Sequence, residues 1–528
     1  MTNEMYWGLW AITWIAAFLG TVQGYRDFSV SDEEVQRASL LNSNLIQEWT
    51  PIESVITAGK RDYFTFQINS TYAHTMSKLD MLVFISGNLH SESARLSNST
   101  ELQLAVWYSF DQEVTSDTSK GSRALFSAGY MEALAATPLE DQDGNLTEYS
   151  NLYLVIEAYN VTSNSPLQLT STTQDLSWNY TIGVSQYDLV FQWDVRSWVE
   201  LVDSDADSAL LVTGNVTSLT TTSANSSLYD VGLYELYLYS YDELIAFDKA
   251  LPHSLRAVQD GPYLASSVNN SAVKIELSNS STPEIVKSLT VRGGSVKEQF
   301  YITGLNHSTT YGVYLTKKIS DNTEVLSDSG GILFSKATFT TMADDSCSLI
   351  FGLDFCDGVA YSVPTAKSAG TNKTVTSLIY DGIASSLYSN FSKALQMIPC
   401  DTEKDARFSP LRTCNDCANS YRNWLCAVTI PRCTTENSSY YIHRDKTQNR
   451  NDFLNQQIQP IHDYYEILPC IDMCYNLAAD CPPDFQFSCP SKTSHSELLY
   501  LSYSVWEEND FHTCNYVGNS RNLHILNS

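Results

Sequence analysis

Upstream of Cys347 the apolar positions come in short runs, several of them with a period of two. Phe64, Phe66 and Ile68 alternate with Thr65 and Gln67 directly after the turn-like Ala58-Gly59-Lys60. Leu102, Leu104 and Val106 alternate around Gln103, and Met81 to Ile85 is a short, fully apolar run. Leu152 to Ala158 and Trp178 to Val184 repeat the style, with turn residues between. Alternation places one face of a strand in a core and the other in water. Few stretches show helical periods. The pattern predicts an all-β front part made of sandwiched sheets, entered by an extended lead-in from residue 25 to about 50.

Beyond Cys347 the period changes. Ile383, Leu387, Phe391, Leu395 and Ile398 recur about one turn apart, which predicts a helix that Pro399 ends. Cys470 and Cys474 also stand one turn apart, on a segment running through Leu477. A chain of 528 residues is too long for one core. The expected division is a signal peptide at 1–24, a β-sandwich region at 25–249, a second sandwich at 250–345, and a mainly α, disulfide-rich domain with its tail at 346–528. The first sandwich region resembles jelly-roll accessory domains. In the second, Leu305, Thr309 and Tyr311 resemble the fibronectin type III signature, with His307 where that family usually has Pro. The resemblance implies that the Tyr311 hydroxyl bonds back to the backbone, that Gly312 to Thr316 continues as a core strand, and that Phe334 to Thr341 is the last strand.

Composition narrows the setting. Only 17% of residues are charged, and Ser, Thr, Asn and Tyr cover the surface that Lys and Glu usually cover, which suits an extracellular β-rich protein. The formal charge of −29 argues against nucleic acid as a partner, because phosphate binding needs a basic face. From Cys347 onward 19 acidic residues stand against 13 basic ones, a net −6, which leaves −23 upstream. That acidic front is expected to keep the chain soluble and, secondarily, to concentrate cations nearby.

Tyr6 to Val22 is apolar with three Trp and no charge, and Val22-Gln23-Gly24 offers small residues for cleavage. It reads as a signal peptide, with a retained anchor as the alternative, since Glu4 stands where a basic residue would be usual. No later segment is expected to span a bilayer; the nearest, Leu349 to Val363, is interrupted by Asp354, Asp357 and Cys356. Thirteen Asn-x-Ser/Thr sequons fit passage through the glycosylation machinery: Asn69, Asn98, Asn145, Asn160, Asn179, Asn215, Asn225, Asn269, Asn279, Asn306, Asn372, Asn390 and Asn437.

Candidate chemistry is sparse. Asp203-Ser204-Asp205-Ala206-Asp207 starts like a calcium loop, but Ser208 and Gly214 stand where an EF-hand needs Gly and Glu. The plainer expectation is a polar loop leading into the strand Leu210-Leu211-Val212. No His-Glu-x-x-His pair, no Gly-x-Ser-x-Gly elbow and no phosphate-cradling glycine loop is present. No catalysis, metal or cofactor is expected. Cys414-x2-Cys417 could be a redox pair or zinc knuckle, but among ten other cysteines in an oxidising compartment it reads as structural.

All twelve cysteines lie between 347 and 514, an even and dense set that implies a disulfide framework whose connectivity spacing alone leaves open. Cys417-x8-Cys426-x6-Cys433, with Trp424-Leu425 and Ile430-Pro431-Arg432, resembles the central run of Frizzled-type cysteine-rich domains. Pro469-Cys470-x3-Cys474-x6-Cys481 and Phe355-Cys356-Asp357-Gly358-Val359-Ala360-Tyr361 are similar to two further blocks of that family, in the same order. The resemblance implies the pairs Cys347–Cys433, Cys356–Cys426, Cys417–Cys481, Cys470–Cys514 and Cys474–Cys489. Cys400 and Cys414 are left to pair as a local addition, unless Cys400 takes the place given to Cys417.

The whole plan, ending in His512-Thr513-Cys514-Asn515-Tyr516-Val517-Gly518, resembles the fungal mating pheromone-induced death family. That resemblance implies a non-catalytic accessory subunit of a stretch-activated, high-affinity calcium channel. It would stand on the extracellular face of the plasma membrane, reached through the endoplasmic reticulum, and meet the membrane through its partner. The implied partner is a large four-domain pore subunit whose extracellular loops the cysteine-rich domain grips. Two other functions compete: a cell-surface receptor for a protein or lipid ligand, and a glycan-binding or glycan-cleaving protein. Cleavage would need a carboxylate pair, for which no motif is present.

Overall fold

The structure, a computed structural model, describes residues 44–69, 80–92, 101–138, 149–218, 232–261, 264–265, 283–292, 295–320, 326–370, 372–399 and 408–518. The expected signal peptide lies outside them.

The first ten strands are β1 (Leu45–Ile46), β2 (Ile52–Thr57), β3 (Arg61–Gln67), β4 (Asp80–Glu92), β5 (Leu102–Ser109), β6 (Ser122–Leu125), β7 (Tyr130–Pro138), β8 (Asn151–Asn160), β9 (Ser165–Pro166) and β10 (Ser177–Ser185). They form two sheets, β1-β3-β8-β5-β6 with β9 beside β8, and β2-β10-β4-β7. The period-two positions make the core between them. Phe64 and Phe66 lie opposite Leu154 and Leu152, and all four point inward against Val83, Ile85, Tyr180 and Ile182.

The second sandwich begins earlier than expected. It contains β11 (Phe191–Asp194), β12 (Val199–Ser204), β13 (Ser208–Thr213), β14 (Thr217–Ser218), β15 (Tyr234–Ser240), α1 (Tyr241–Asp248), α2 (Leu255–Asp260), β16 (Leu264–Ala265), β17 (Glu284–Arg292), β18 (Ser295–Thr303), β19 (Thr310–Ser320), β20 (Leu326–Phe334) and β21 (Ala337–Thr340). Its sheets are β12-β13-β18-β14 with β17 beside β18, and β11-β20-β19-β15-β16 with β21 beside β19. β13 runs along β18 from Ser208 opposite Thr303 to Val212 opposite Gln299, and β15 runs along β19. Pairing therefore assigns the strands from Phe191 to Ser240 here, and the boundary expected at 249/250 falls inside this sandwich. After Thr303 the chain turns at Gly304, whose positive φ of 75° suits glycine. The Asn306 N–H donates to the Tyr311 hydroxyl at 2.9 Å. Phe334 ends β20, and β21 begins only after Ser335 and Lys336, so the last strand is shorter than Phe334 to Thr341.

The two sandwiches are joined by buried polar groups. The Ser86 hydroxyl accepts from Phe191 N–H at 2.9 Å, Asn88 Oδ1 accepts from Leu255 N–H at 2.8 Å, and the Ser254 hydroxyl donates to the Leu89 carbonyl at 2.6 Å. On β12, burial pushes the Glu200 carboxyl up to about 7 against the opposing pull of Lys297 and Arg292. A carboxyl raised by folding favours the folded state below its unfolded value, near 4.5, and this contribution is lost as pH rises through about 7. Melting temperature is expected to fall over that window, and Glu200→Gln to flatten the fall, by at most ~3 kcal/mol of stability. Thermal melts at a series of pH values read it.

The third part contains β22 (Cys347–Ile350), β23 (Tyr361–Pro364), α3 (Lys373–Leu395), α4 (Cys414–Thr429), β24 (Arg432–Thr434), β25 (Ile442–Arg444), β26 (Tyr464–Ile467), α5 (Ile471–Asp480) and α6 (Ser496–Ser502). The molecule is thus a β-rich front followed by a more helical, disulfide-bonded part. The helix expected from Ile383 onward is α3, but its inward face is turned from the expected stripe. Thr376, Tyr380, Ala384 and Phe391 are buried, whereas Leu387 is 47% exposed. Tyr380 donates its hydroxyl to the Pro364 carbonyl at 3.0 Å, and Phe391 stacks on Tyr421 of α4 at 3.6 Å.

Candidate functional site: an acidic hairpin seated in the disulfide-rich domain

The Asp203–Asp207 segment is the tip of the β12–β13 hairpin, and it is built as a turn. Asp205 Oδ1 accepts from Asp207 N–H, Ser208 N–H and the Ser208 hydroxyl at 3.1, 2.8 and 2.9 Å. This is the side-chain turn that aspartate makes with its own backbone, and it leaves Oδ2 directed outward. Oδ2 accepts from Leu349 N–H of β22 at 2.7 Å and lies 2.6 Å from Lys373 Nζ at the start of α3. Lys373 reaches Asp207 as well, at 2.5 Å. Asp203 Oδ2 meets Arg432 of β24 at 2.9 Å and accepts from Ser362 N–H of β23 at 3.2 Å. The Ser362 hydroxyl donates to the Ser204 carbonyl at 2.9 Å.

The hairpin's carboxylates are thus engaged within the fold, and among the described residues no group of three or more His, Cys, Asp or Glu side chains is placed to hold a metal ion. Its carboxylates are occupied by two cationic side chains and by backbone N–H groups of the third part. Burial works against the Lys373 ammonium, but Asp205 and Asp207 hold it protonated above its ordinary range. Asp207 stays below its ordinary value, since Lys373 outweighs the effect of burial. Burial pushes Asp203 up, with Arg432 pulling the other way. Beneath the polar contacts lies an apolar seam in which Val202, Leu210 and Val212 pack on Leu349 and Ala360, with Tyr301 edge-on to Phe351 at 4.9 Å.

The disulfides hold the receiving strands. The structure joins Cys347 to Cys433, so β22, which offers Leu349 N–H, is stapled to β24, which offers Arg432. It also joins Cys356 to Cys426, Cys417 to Cys481, Cys470 to Cys514 and Cys474 to Cys489. Five of these ten cysteines sit on or cap a helix: Cys417 and Cys426 lie on α4, Cys474 lies on α5, and Cys470 and Cys481 cap its two ends. Cys414 is disulfide-bonded too, and Cys400 lies outside the described residues. Behind the bridges, Glu466 of β26 is fully buried and pairs with Arg444 and Arg450, each at 2.6 Å.

Of the sequon asparagines, Asn69, Asn215, Asn306, Asn372, Asn390 and Asn437 are exposed, and Asn160 and Asn179 are half-buried. Asn98, Asn145, Asn225, Asn269 and Asn279 lie outside the described residues. Sequence reasoning missed Lys373, Arg432 and Glu466. The available signal was a lone charge inside an otherwise apolar block, as in Ile430-Pro431-Arg432-Cys433 and Tyr464-Tyr465-Glu466-Ile467, whereas Lys373 stands in a polar stretch that gives none.

Among the described residues no helix is long and apolar enough to cross a membrane. Residues 82–520 match the family model described as Mid1, stretch-activated Ca2+-permeable channel component. The chain is 52% identical over 492 residues to the stretch-activated cation channel MID1 of Saccharomyces cerevisiae, covering 91% of this chain and 88% of that relative. It is 30% identical over 486 residues to the stretch-activated cation channel yam8 of Schizosaccharomyces pombe, covering 90% and 87%. A third relative, the stretch-activated cation channel MID1 of Cryptococcus neoformans, is 26% identical over 211 residues and 33% of each chain. The family match runs from within β4 of the first sandwich through the second sandwich, the seated hairpin and every bridged cysteine, and the chain belongs to the family of stretch-activated Ca2+-permeable channel components.

Proposed function

We propose that the chain is a non-catalytic accessory subunit of a calcium channel. It would act on the extracellular face of the plasma membrane and support calcium influx by gripping a large four-domain pore subunit through its disulfide-rich domain. The observation that carries this reading is the family match over residues 82–520. The relatives' names place them in stretch-activated cation channels. The structure supports the gripping role physically. Five bridges hold the disulfide-rich domain together and a buried ion-pair seam fixes it to the second sandwich, so a binding face there is preorganised and loses little entropy on docking. Purification in mild detergent tests it. Co-recovery of a very large channel polypeptide is expected, whereas recovery of the chain alone with bound lipid would favour a receptor.

The same reading includes N-glycans at the sequons, passage through the endoplasmic reticulum, and a sixth bridge, Cys400–Cys414. One sequon can be separated from its structural duty. Asn372 caps α3, its side chain accepting from Val375 N–H at 3.1 Å. Asn372→Asp keeps the acceptor and Asn372→Ala removes it, so only the alanine variant should lose about 1 kcal/mol of stability. Both should lose one glycan by intact mass.

A further inference from the structure

The first sandwich carries a cavity of about 800 Å3 between β5–β6 of one sheet and β7 of the other, with no link to the hairpin or to the disulfide-rich domain. Its walls combine four aromatic rings, Tyr108, Phe110, Tyr149 and Tyr153, with the rim residues Asp111 and Gln112. Aliphatic lining is limited to Leu134 and two alanines. We propose that this cavity is a carbohydrate-binding site for a short oligosaccharide of neutral hexoses.

A pyranose offers a flat C–H face to an aromatic ring and a belt of hydroxyls to planar polar side chains, and this wall supplies both. A wholly apolar ligand would cover the polar rim of Asp111 and Gln112 without offering it hydrogen bonds, which costs free energy on burial. A phosphorylated or acidic ligand would meet Asp111 first, because Lys120, the only cation of the lining, is already paired with Glu113. The volume is in the range of small-molecule sites and suits several linked rings.

The cavity is also preformed. Phe110 and Tyr149 hold each other at 5.1 Å and 53°, and the Thr137 hydroxyl donates to Tyr149 at 3.0 Å. The rim is pinned where Asp111 accepts from Glu113 N–H at 2.9 Å. A side chain at Gly121 would meet Val114 at 2.5 Å, so the rim packs tightly on the end of β5. Fixed rings and a fixed rim lower the entropy lost on binding.

Two sources share this chemistry: an external polysaccharide, or a glycan of the chain itself, Asn145 being four residues before Tyr149. Calorimetric titration of the full-length glycoprotein with laminarihexaose and with mannohexaose tests the site. Binding of at least one, with a Kd of about 0.1–1 mM, is expected. Tyr149→Ala should weaken it by about tenfold or more, while Tyr149→Phe, which keeps the ring, should stay within about twofold. Gln112→Ala, on the exposed rim, gives a second reading should Tyr149→Ala fail to fold. Repeating the titration on Asn145→Gln separates the sources. Binding that appears only then identifies the chain's own glycan as occupant, and unchanged binding identifies an external one. Absence of binding to both hexaoses in both glycoforms overturns the proposal. So does a folded Tyr149→Ala, or failing that Gln112→Ala, that binds like the parent.

Discussion

Glu466→Ala is expected to destabilise the disulfide-rich domain by about 3–5 kcal/mol, the usual cost of leaving a buried charge without its partner. Glu466 sits on the middle strand of the β24-β26-β25 sheet with no exposure, and Arg444 and Arg450 converge on its two oxygens at 2.6 Å. Their side chains are only 15% and 13% exposed, so water cannot replace the lost carboxylate. Removing it leaves two guanidinium groups facing each other in a closed site. Glu466→Gln keeps the shape and one acceptor, and it should cost less than the alanine variant while staying well below the parent. Denaturant unfolding with the disulfides intact would measure both. Equal stability of parent and alanine variant would mean that the arginines find other partners.

The second large effect concerns the seam between the second sandwich and the disulfide-rich domain. Arg432→Met removes the cation beside Asp203, whose carboxylate is nearly enclosed and is otherwise held by the N–H groups of Ser204 and Ser362. An expected loss of about 3–5 kcal/mol follows from stranding that carboxylate. Asp203→Asn in the same chain removes the stranded charge, so the double variant should recover at least about 1 kcal/mol relative to Arg432→Met alone. The pattern separates a paired charge from mere packing, because the Tyr361 ring under Arg432 at 5.7 Å is present in every variant. Limited proteolysis should show the two parts parting first in Arg432→Met, with cleavage in the stretch joining β21 to β22.

These residues also show what a sequence can and cannot display. The strands of the first sandwich were legible because Phe64, Phe66 and Ile68 bury alternate positions of a two-sided sheet, a purely local pattern. The acidic hairpin was legible as a loop entering Leu210–Val212, since its turn is made by its own aspartate. Its function in the fold was not, because the partners Lys373 and Arg432 lie far downstream and no local signal joins them to Asp205 and Asp203. Helix α3 was legible, but its inward face was read from branched and long aliphatics. Tyr380 and Ala384 take that face instead, one hydrogen-bonded and the other small enough for close packing, while Leu387 faces water. The start of the second sandwich was hidden for a similar reason, since the pairing of β13 with β18 spans a long stretch of intervening chain.

On the function proposed above, the disulfide-rich domain is the part through which the chain serves its channel. Stretch-evoked calcium uptake in cells whose only copy carries both Cys417→Ser and Cys433→Ser tests this most directly. Each change opens a bridge that typically contributes ~2–4 kcal/mol. One of them also frees β24 from β22, where the hairpin is seated. Uptake is predicted to fall to the level of cells that lack the chain. Normal uptake, with Cys347 and Cys481 shown to be free thiols in the protein at the cell surface, would contradict the account.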